Sequence, residues 1–432
     1  MTHRQPSRIH RALTTALPRR RIRDLARRLG VVRRRRKVDI VALVYSLVLG
    51  FSGGDRRSLT ALRRSYFRAT GVRLAPSSFH ARFNGALVEL MRKLTLEALE
   101  RTARARPNLR GVFAPFVEVL AIDAALIRLH SALAASYPSV FTHHMKASAK
   151  LGVVMNVISR GAKTVIITHG SRHDKHLLQA GAWMRGRLLL FDLGFYRAAL
   201  FKEIGAHGGY FLSRMKKQGN PLIVHTHVKS HQHLVGKKLR DAQPLAEGGV
   251  IDVEAEMVHQ RRHRQRPRVT NHYTRFRCLA LYNAELGQWH RYVTNLPPDL
   301  LKAEHVAAVY AARWEVELLF RELKRSYRID HMPSANRHVS EALIYAALLT
   351  LVVSRELYRA LRKRWRLDRR RLPLDRWAVL FANTADELLA ISFTPRGRHG
   401  RARRLERFLR VEANDPNRTR IPLIQRAQAG VF

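Results

Sequence analysis

The sequence has one cysteine and no apolar run of membrane-spanning length. Cys278 alone excludes an internal disulfide and a zinc site built from the cysteines of one chain. The longest apolar runs, Ile40–Phe51 and Ala342–Val353, reach about half of the roughly 20 residues that a membrane span needs, so we expect buried helices. Residues 1–36 are rich in arginine and lack the apolar stretch of a secretion signal. These absences predict a reduced, intracellular protein.

Acidic residues are scarce relative to basic ones. The chain has 80 Lys and Arg against 32 Asp and Glu, which gives a formal charge of +48. Because so much like charge repels itself unless a polyanion neutralises it, nucleic acid is the expected partner. An acidic membrane surface is the competing partner, and the lack of a spanning segment disfavours it. The composition therefore predicts a nucleic-acid-binding protein.

The first part of the chain, residues 1–112, is predicted to be helical and to bind DNA. Apolar periodicity and helix-ending glycines predict helices over Arg21–Leu29, Val38–Phe51, Ser58–Thr70 and from Pro76 onward. The last two, with arginines beside them, suit a helix-turn-helix, but a plain helical bundle with a basic surface fits the pattern equally well. The run Arg33–Lys37 is typical of a solvated basic face, with phosphate contact as a second role.

Residues 113–215 show an α/β pattern. Short runs rich in Val, Ile and Leu predict strands at Phe116–Leu129, Leu151–Ile158, Thr164–Thr168, Leu188–Phe191 and Tyr210–Ser213. Helices are expected near Lys175–Met184 and Tyr196–Ile204. Three consecutive strands before the first helix predict an antiparallel start to a mixed sheet.

The pattern changes again after residue 215. Residues 216–297 are rich in turns, show no good helix, and predict strands at Leu222–His227, Gly249–Val258, Arg275–Tyr282 and Gln288–Thr294. Helices resume over residues 298–355. Residues 356–432 are predicted to be a basic helical region, in which Pro395–Arg404 has the composition of a flexible arm that either grips DNA or is solvated.

The segment from residue 310 to residue 324 carries the strongest functional pattern. Four polar residues fall on one helical face, an arc of roughly 60° when each residue turns about 100°: Tyr310, Arg313, Glu317 and Lys324. The apolar residues form a separate stripe: Val309, Val316, Leu319, Phe320, Leu323 and Tyr327. An amphipathic helix with surface salt bridges would explain this pattern, and so would a site for metal and phosphate chemistry.

Two aspartates interrupt or end apolar strands. Asp123 lies inside one strand, where a charge is costly unless it is paired or bound to a cation, and Asp192 ends another. If these strands are neighbours, about 4.8 Å apart, both carboxylates reach one cavity. Together with Glu317 they would supply the oxygen ligands that two-metal phosphodiester chemistry needs. Asp174 is the main rival for the second position, although its polar flanks indicate a solvated loop.

These residues resemble a large group of bacterial insertion-sequence transposases. The helix matches their Tyr-x2-Arg-x3-Glu-x6-Lys signature (insertion-sequence family four type) at every position, and Asp123 and Asp192 resemble the aspartates of their Asp-Asp-Glu triad. The resemblance covers roughly residues 115–350, and Ala125 departs from it because relatives often carry Thr or Ser there. It implies an α/β fold: a ribonuclease-H-like mixed sheet with helices, interrupted by a β-rich insertion and flanked by helical basic N- and C-terminal regions.

The resemblance also implies a role for each site residue. Two Mg²⁺ ions, with Mn²⁺ as a substitute, would be held by the catalytic carboxylates of Asp123, Asp192 and Glu317. Phosphates near the cleaved end would be gripped by Tyr310, Arg313 and Lys324. Trp289, in the last strand of the insertion, would stack an unpaired base, and packing in the insertion's own core is the alternative.

The implied partners are double-stranded DNA, as transposon ends and target, and a second copy of the chain in a synaptic complex at the bacterial nucleoid in the cytoplasm. Two other functions stay open from the residues alone: a non-catalytic DNA-binding descendant of a transposase, and a structure-selective nuclease. A histidine group has metal-binding potential, although its alternate strand spacing and lack of thiolates favour surface or DNA-facing positions: His225, His227, His231 and His233.

Overall fold

A mixed β-sheet organises the protein, whose computed structural model describes residues 7–32, 38–51, 57–103, 109–141, 143–262, 269–332, 334–367, 371–417 and 426. The strands are β1 (Glu118–Leu129), β2 (Ser148–Asn156), β3 (Gly161–His169), β4 (Arg187–Phe191), β5 (Tyr210–Arg214), β6 (Leu222–Thr226), β7 (Val250–Arg262), β8 (Val269–Asn283), β9 (Gln288–Thr294) and β10 (His331–Met332). Their order across the sheet is β3-β2-β1-β4-β5-β9-β8-β7-β6, and β10 pairs with the end of β1. The run Arg33–Lys37, for which we predicted a solvated basic face, lies outside the described residues.

Most of the described helices lie on one face of this sheet or extend beyond it, and α7 and α8 lie on the other face. They are α1 (Arg8–Ala16), α2 (Arg19–Arg28), α3 (Ile40–Leu49), α4 (Leu59–Thr70), α5 (Pro76–His80), α6 (Gly85–Ala103), α7 (Ala198–Ala206), α8 (Leu239–Ala242), α9 (Ala303–Ala311), α10 (Trp314–Arg325), α11 (Arg337–Trp365), α12 (Leu374–Asn383), α13 (Ala385–Phe393) and α14 (Arg398–Glu412). One apolar cluster joins the N-terminal helices, α10 and α11 to the sheet, and a second lies on the opposite face around α7. We call these two sides the α10 face and the α7 face.

The first strands confirm the antiparallel start. β1 pairs antiparallel with β2, and β2 pairs antiparallel with β3. β1 pairs parallel with β4, which pairs parallel with β5. The two strands that carry the candidate aspartates are therefore neighbours.

The β-rich segment of residues 216–297 continues the same sheet. β9 pairs antiparallel with β5, and β8, β7 and β6 follow outward. Inside it, the buried guanidinium of Arg277 forms a bidentate pair with Asp252, with distances of 2.7 and 2.6 Å. Arg277 also donates to the carbonyl oxygens of Leu296 and Leu301, at 3.0 and 2.8 Å. This arginine fixes the segment to the chain that leads back into α9.

The N-terminal helices are fixed to the same core by a buried arginine. Arg57 donates to the carbonyl oxygens of Tyr327 (2.9 Å) and Leu47 (2.6 Å) and to the hydroxyl of Thr350 on α11 (2.7 Å). Burial lowers the pKa of Arg57 to about 9. Because its donors are satisfied by these oxygens, the charge is tolerated in an apolar surrounding.

α11 is much longer than the predicted Ala342–Val353. It spans 29 residues because good helix formers, including the basic run before Trp365, extend the apolar stretch at both ends. Among the described helices it alone is long and apolar enough to cross a membrane, but 78% of its most apolar window is buried inside the protein. It is the central core helix against which α1, α3 and α6 pack.

Several predicted elements differ from the structure. Residues Lys175–Met184 form short 3-10 turns rather than an α-helix, because Leu177 and Leu178 both enter the core and Gly181 is extended. The predicted flexible arm Pro395–Arg404 instead contains the start of α14, which follows a left-handed Gly397. The helix predicted from Pro76 onward is interrupted between α5 and α6, and the segment 216–297 contains the short helix α8.

Candidate active site and its electrostatics

Asp123 and Asp192 extend from neighbouring strands on the same side of the sheet. Ile122 pairs with Phe191, and both of these side chains enter the core on the α7 face. Because side chains alternate along extended chain, the next residues, Asp123 and Asp192, point to the α10 face. Asp192 keeps extended backbone angles (φ −84°, ψ 169°) although it lies just beyond β4. The two carboxylates therefore face the helix that carries Glu317.

The predicted single helix from Tyr310 to Lys324 is interrupted at Arg313. The amide of Arg313 donates to the carbonyl of Tyr310 (3.0 Å), and the amide of Val316 donates to the carbonyl of Arg313 (3.1 Å). These three-residue bonds wind the chain more tightly than an α-helix. α9 therefore ends before Arg313 and α10 begins after it, so the prediction of one continuous helix from Tyr310 to Lys324 was wrong.

The break does not separate the functional side chains. The guanidinium carbon of Arg313 lies 5.6 Å from the centre of the Tyr310 ring, and the same guanidinium pairs with Glu317. Lys324 is half-buried about two turns further along α10. The apolar stripe predicted for this segment is buried as expected: Val309, Val316, Leu319, Phe320, Leu323 and Tyr327.

Arg313 connects the helix to the strand carboxylate. Its Nη2 lies 2.7 Å from Oε1 of Glu317, and its Nη1 lies 3.8 Å from Oδ2 of Asp123. Its side chain is only 11% exposed, and its Nε and Nη1 atoms are buried and have no hydrogen-bond partner in the described part of the chain. A cationic group therefore occupies the space between two carboxylates and is only partly satisfied there.

Asp123 responds electrostatically to the other two carboxylates. Burial, the largest cause, and the negative charges of Asp192 and Glu317 together raise the pKa of Asp123 to about 6. The Ala124 amide, which donates to Oδ1 of Asp123 at 2.7 Å, and Arg313 oppose this effect. Two acids close enough to raise the pKa of a third need a nearby cation to stay ionised together.

The donor chemistry of this cluster fits a hard divalent cation. Carboxylate oxygens are the ligands that Mg²⁺ prefers. Across the described residues, however, no three carboxylate, imidazole or thiolate groups stand close enough together to ligate one ion. Because Arg313 already lies between Asp123 and Glu317, metal binding requires the guanidinium to withdraw and the carboxylates to approach.

The rival aspartate, Asp174, has a different partner. Its Oδ1 lies 2.7 Å from Nζ of Lys150, a lysine that is almost fully buried in β2. Its other oxygen packs so closely on the backbone after β4 that a Cβ at Gly194 would approach it to 2.9 Å. The contacts of Asp174 are therefore those of a residue that holds the loop beside Asp192.

Sequence reasoning missed two basic residues on the α10 face. Arg214, the last residue of β5, pairs across the sheet with Tyr292, whose ring centre lies 5.4 Å from that of Tyr310. Arg214 also donates a hydrogen bond to Nδ1 of His290 in β9. The predicted strand Tyr210–Ser213 stopped one residue short of Arg214, although a basic residue directly after a buried strand was a usable signal.

Trp289 is not brought to the carboxylates. It is half-buried, packs against the apolar cluster of the α7 face, and lies 5.4 Å from the ring of Tyr282. Its neighbour His290 points to the α10 face, since Tyr292 two residues later belongs to that side. The predicted histidine group forms two separate ring pairs, His225–His227 and His231–His233.

The chain is similar in sequence to a protein family and to individual relatives. The family described as "Transposase DDE domain" matches residues 115–353. The transposase for insertion sequence element IS1151 of Clostridium perfringens is 21% identical over 350 residues, 74% of each chain. The transposase for IS231D of Bacillus thuringiensis subsp. finitimus is 21% identical over 357 residues, 76% of this chain and 74% of that one.

A solved structure shares the fold. A cryo-EM structure of the piggyBac transposase synaptic complex with hairpin DNA aligns with a TM-score of 0.50 over 93% of this chain and 83% of that chain, at 10% sequence identity. At this identity the similarity concerns the arrangement of strands and helices.

Proposed function

The chain belongs to the transposase DDE-domain family, and from this premise we propose that it binds the terminal inverted repeats of an insertion sequence, cuts both ends and joins them to target DNA. Members of this family are metal-dependent enzymes of DNA cleavage and strand transfer, and the relatives named above are insertion-sequence transposases. The similarity extends well beyond the matched domain, because those relatives align with about three quarters of the chain.

One observation carries the assignment of the site: Arg313 lies against the carboxylates of Asp123 and Glu317, with Asp192 within electrostatic range. Asp123, Asp192 and Glu317 come from β1, from the end of β4 and from α10, and the charges of the last two raise the pKa of Asp123. We propose that these residues are the catalytic triad. The proposed core is ribonuclease-H-like, with residues 216–297 as an insertion that extends its sheet.

The three carboxylates would hold two Mg²⁺ ions, with Mn²⁺ as a substitute. Bound ions of this kind activate the attacking oxygen and stabilise the leaving oxygen of a phosphodiester. The protein's own contribution is to fix the carboxylates on a sheet and a helix that pack on one core. Ala125 follows the triad aspartate by two residues and is not itself a ligand, so its departure from the family pattern leaves the proposed site intact.

We propose that the segment from residue 310 to residue 324 is the Tyr-x2-Arg-x3-Glu-x6-Lys signature. In this proposal Tyr310, Arg313 and Lys324 bind DNA phosphates beside the triad. The hydroxyl of Tyr310 and two nitrogens of Arg313 are buried donors that no described residue satisfies. An unpaired buried donor is costly, and a phosphate oxygen would satisfy it. Phosphate binding would therefore supply acceptors for the unsatisfied donors of Tyr310 and Arg313.

The proposed partners are the two transposon ends, the target DNA and a second copy of the chain in a synaptic complex. A charge of +48 supports binding to several DNA segments at once. The N-terminal residues 1–112 are proposed to read the end sequence, and residues 356–432 to contribute to dimer or second-end contacts. A cytoplasmic, nucleoid-associated location follows from this proposal.

The test is cleavage of labelled DNA that carries the element's own terminal repeats, with Mg²⁺ and with EDTA. We expect metal-dependent cutting at the repeat boundary by the wild type and a loss of at least roughly 100-fold in Glu317→Gln, since ligand loss exceeds the effect of outer-shell changes. Glu203→Gln, an exposed acid of α7, is the matched control. End binding should persist in both variants.

Other outcomes point to the alternative functions. Tight end binding without cutting by the wild type would identify a DNA-binding descendant. Cutting of unrelated branched DNA without preference for the ends would identify a structure-selective nuclease. Equal cutting by wild type and Glu317→Gln would show that the triad assignment is wrong.

A further inference from the structure

Acidic and basic side chains divide the α10 face of the sheet between them. Asp123 and Asp192 extend from β1 and β4, while Arg214 and His290 extend from the next two strands, β5 and β9. Phe191 pairs with Ser213, so Asp192 and Arg214 are the next residues of adjacent strands. Leu212, two residues before Arg214, is buried on the α10 face, which places Arg214 on that face as well.

The pair of Arg214 and His290 has one defined protonation pattern. Arginine offers only donors, so Nδ1 of His290 must accept its hydrogen bond and Nε2 must carry the proton. Burial, followed by the charge of Arg214, lowers the pKa of His290, which favours the neutral imidazole. His290 therefore presents a fixed N–H donor whose direction Arg214 determines.

This donor has no hydrogen-bond partner among the residues that the structure describes. Nε2 of His290 is buried and unbonded, and so is the hydroxyl of Tyr310, a side chain that is 8% exposed. The phenol lies within electrostatic range of Arg214, Arg313 and Asp192. With the unpaired nitrogens of Arg313, the unpaired donors of His290 and Tyr310 leave a deficit of acceptors on this face, and each one costs stability unless a ligand supplies an acceptor.

We propose that Arg214 and His290 form a phosphodiester-binding subsite beside the carboxylates, with Tyr310 at the boundary between the two. The inference rests on the proposed function, because DNA is taken as the substrate. A phosphate oxygen accepts hydrogen bonds from Nε2 of His290 and from Arg214. The phosphodiester that reacts lies at Asp123 and Asp192, on the other part of the α10 face. The same chemistry suits a phosphate of the transposon end or one of the target strand.

The test compares variants that separate the two donors. Arg214→Gln removes the charge. His290→Asn retains an acceptor for Arg214 but loses the Nε2 donor, whereas His290→Gln retains a donor near the Nε2 position. Arg275→Gln and His207→Gln, two exposed residues on β8 and after α7, are the matched controls. Thermal unfolding of each purified full-length protein identifies variants that fail to fold.

Binding of fluorescent end DNA is measured in EDTA over a range of salt, cleavage of end DNA is measured with Mg²⁺, and strand transfer is measured with pre-cut ends. If the phosphate belongs to the end, Arg214→Gln and His290→Asn weaken end binding roughly tenfold. The salt slope for Arg214→Gln becomes less negative by about 0.9. His290→Gln recovers most of the affinity. A neutral methylphosphonate at the contacted linkage weakens the wild type but not Arg214→Gln.

If the phosphate belongs to the target, end binding and cleavage match the controls while strand transfer by pre-cut ends falls roughly tenfold. Both patterns support the subsite. The inference is overturned if folded Arg214→Gln and His290→Asn proteins match the controls in binding, cleavage and strand transfer. Should Arg214→Gln fail to fold, His290→Asn against His290→Gln decides the question alone. If the wild type binds ends without cutting them, the proposed enzyme function is wrong. The effect of the Arg214 and His290 variants on end binding then still tests the subsite.

Discussion

Arg313 pairs with Glu317 at 2.7 Å and approaches Asp123 at 3.8 Å, so one guanidinium lies between carboxylates of a helix and a strand. The proposed metal ions would balance the negative charge of the same carboxylates. A bound metal and Arg313 therefore compete for these carboxylates, and a phosphate that attracts Arg313 favours metal binding.

Replacing Arg313 should strengthen metal binding in the absence of DNA. We expect Arg313→Gln to bind Mn²⁺ roughly tenfold more tightly than the wild type, a change of about 1.4 kcal/mol, because the internal cation is gone. Cleavage should fall at the same time, because the phosphate contact is lost. Isothermal titration or paramagnetic resonance of Mn²⁺ without DNA measures the first effect, with Arg275→Gln as the control. Unchanged or weaker Mn²⁺ binding would contradict the competition.

The raised pKa of Asp123 predicts a pH-dependent stability cost. The folded-state pKa of about 6 exceeds the ordinary value of 3.8, so the folded protein binds more protons than the unfolded chain between these values. The contribution of Asp123 to stability therefore declines as pH rises through this window. Asp123→Asn should become more stable than the wild type by up to about 3 kcal/mol near neutral pH.

This difference is measured by urea unfolding in EDTA at several pH values. At pH 4 the free energies of unfolding of Asp123→Asn and the wild type should be nearly equal, and the variant should be the more stable protein by pH 7. Addition of Mg²⁺ should then reduce this difference by stabilising the wild type. A gap that is constant with pH would show that burial does not perturb Asp123 in the folded protein.

Trp289 gives a separate prediction about the DNA end. Its ring packs on Tyr282 and on the α7 face, so truncation removes only part of a half-buried surface. We expect Trp289→Ala to fold and to retain cleavage of one strand. If the ring stacks an unpaired base, hairpin formation at the end should fall, since such stacking contributes about 1–3 kcal/mol per base. A folded variant that forms and resolves hairpins normally would reject the stacking role.

The sequence was sufficient to predict the strands that carry the candidate site. Alternation and apolar runs located β1, β4 and β9, and a charge inside the apolar β1 singled out Asp123. The parallel pairing of β1 with β4 could not be read from either strand alone. It follows from contacts distant in sequence, and the structure supplies the register of Ile122 with Phe191.

The misses have physical causes as well. A uniform 100° rotation could not anticipate the tight turn at Arg313, because its backbone angles differ little from those of a helix. The dense arginines of α14 obscured a stripe of buried residues, Ala402, Leu405 and Leu409, that fixes the helix to the core. The pairing of Arg214 with His290 joins residues 76 positions apart, beyond the reach of local pattern.

A buried ion pair behind the proposed site provides the last prediction. Glu322 lies on α10, pairs with Arg355 of α11 and accepts a hydrogen bond from the Tyr327 hydroxyl at 2.8 Å. Both charged side chains are less than a tenth exposed. Burial raises the pKa of Glu322 although Arg355 opposes this effect. The pair therefore joins the helix that carries Glu317 to the central helix of the core.

Arg355→Met should lower the free energy of unfolding by about 3–5 kcal/mol, because it leaves a buried carboxylate without its cation. The double variant Glu322→Leu/Arg355→Met should recover much of this loss, since a buried pair replaced by apolar groups leaves no unpaired charge. Urea unfolding measures both. If the pair only supports the fold, the double variant also cleaves DNA at the wild-type rate per folded molecule. A stable double variant with reduced cleavage and unchanged DNA binding would instead show that the pair positions Glu317.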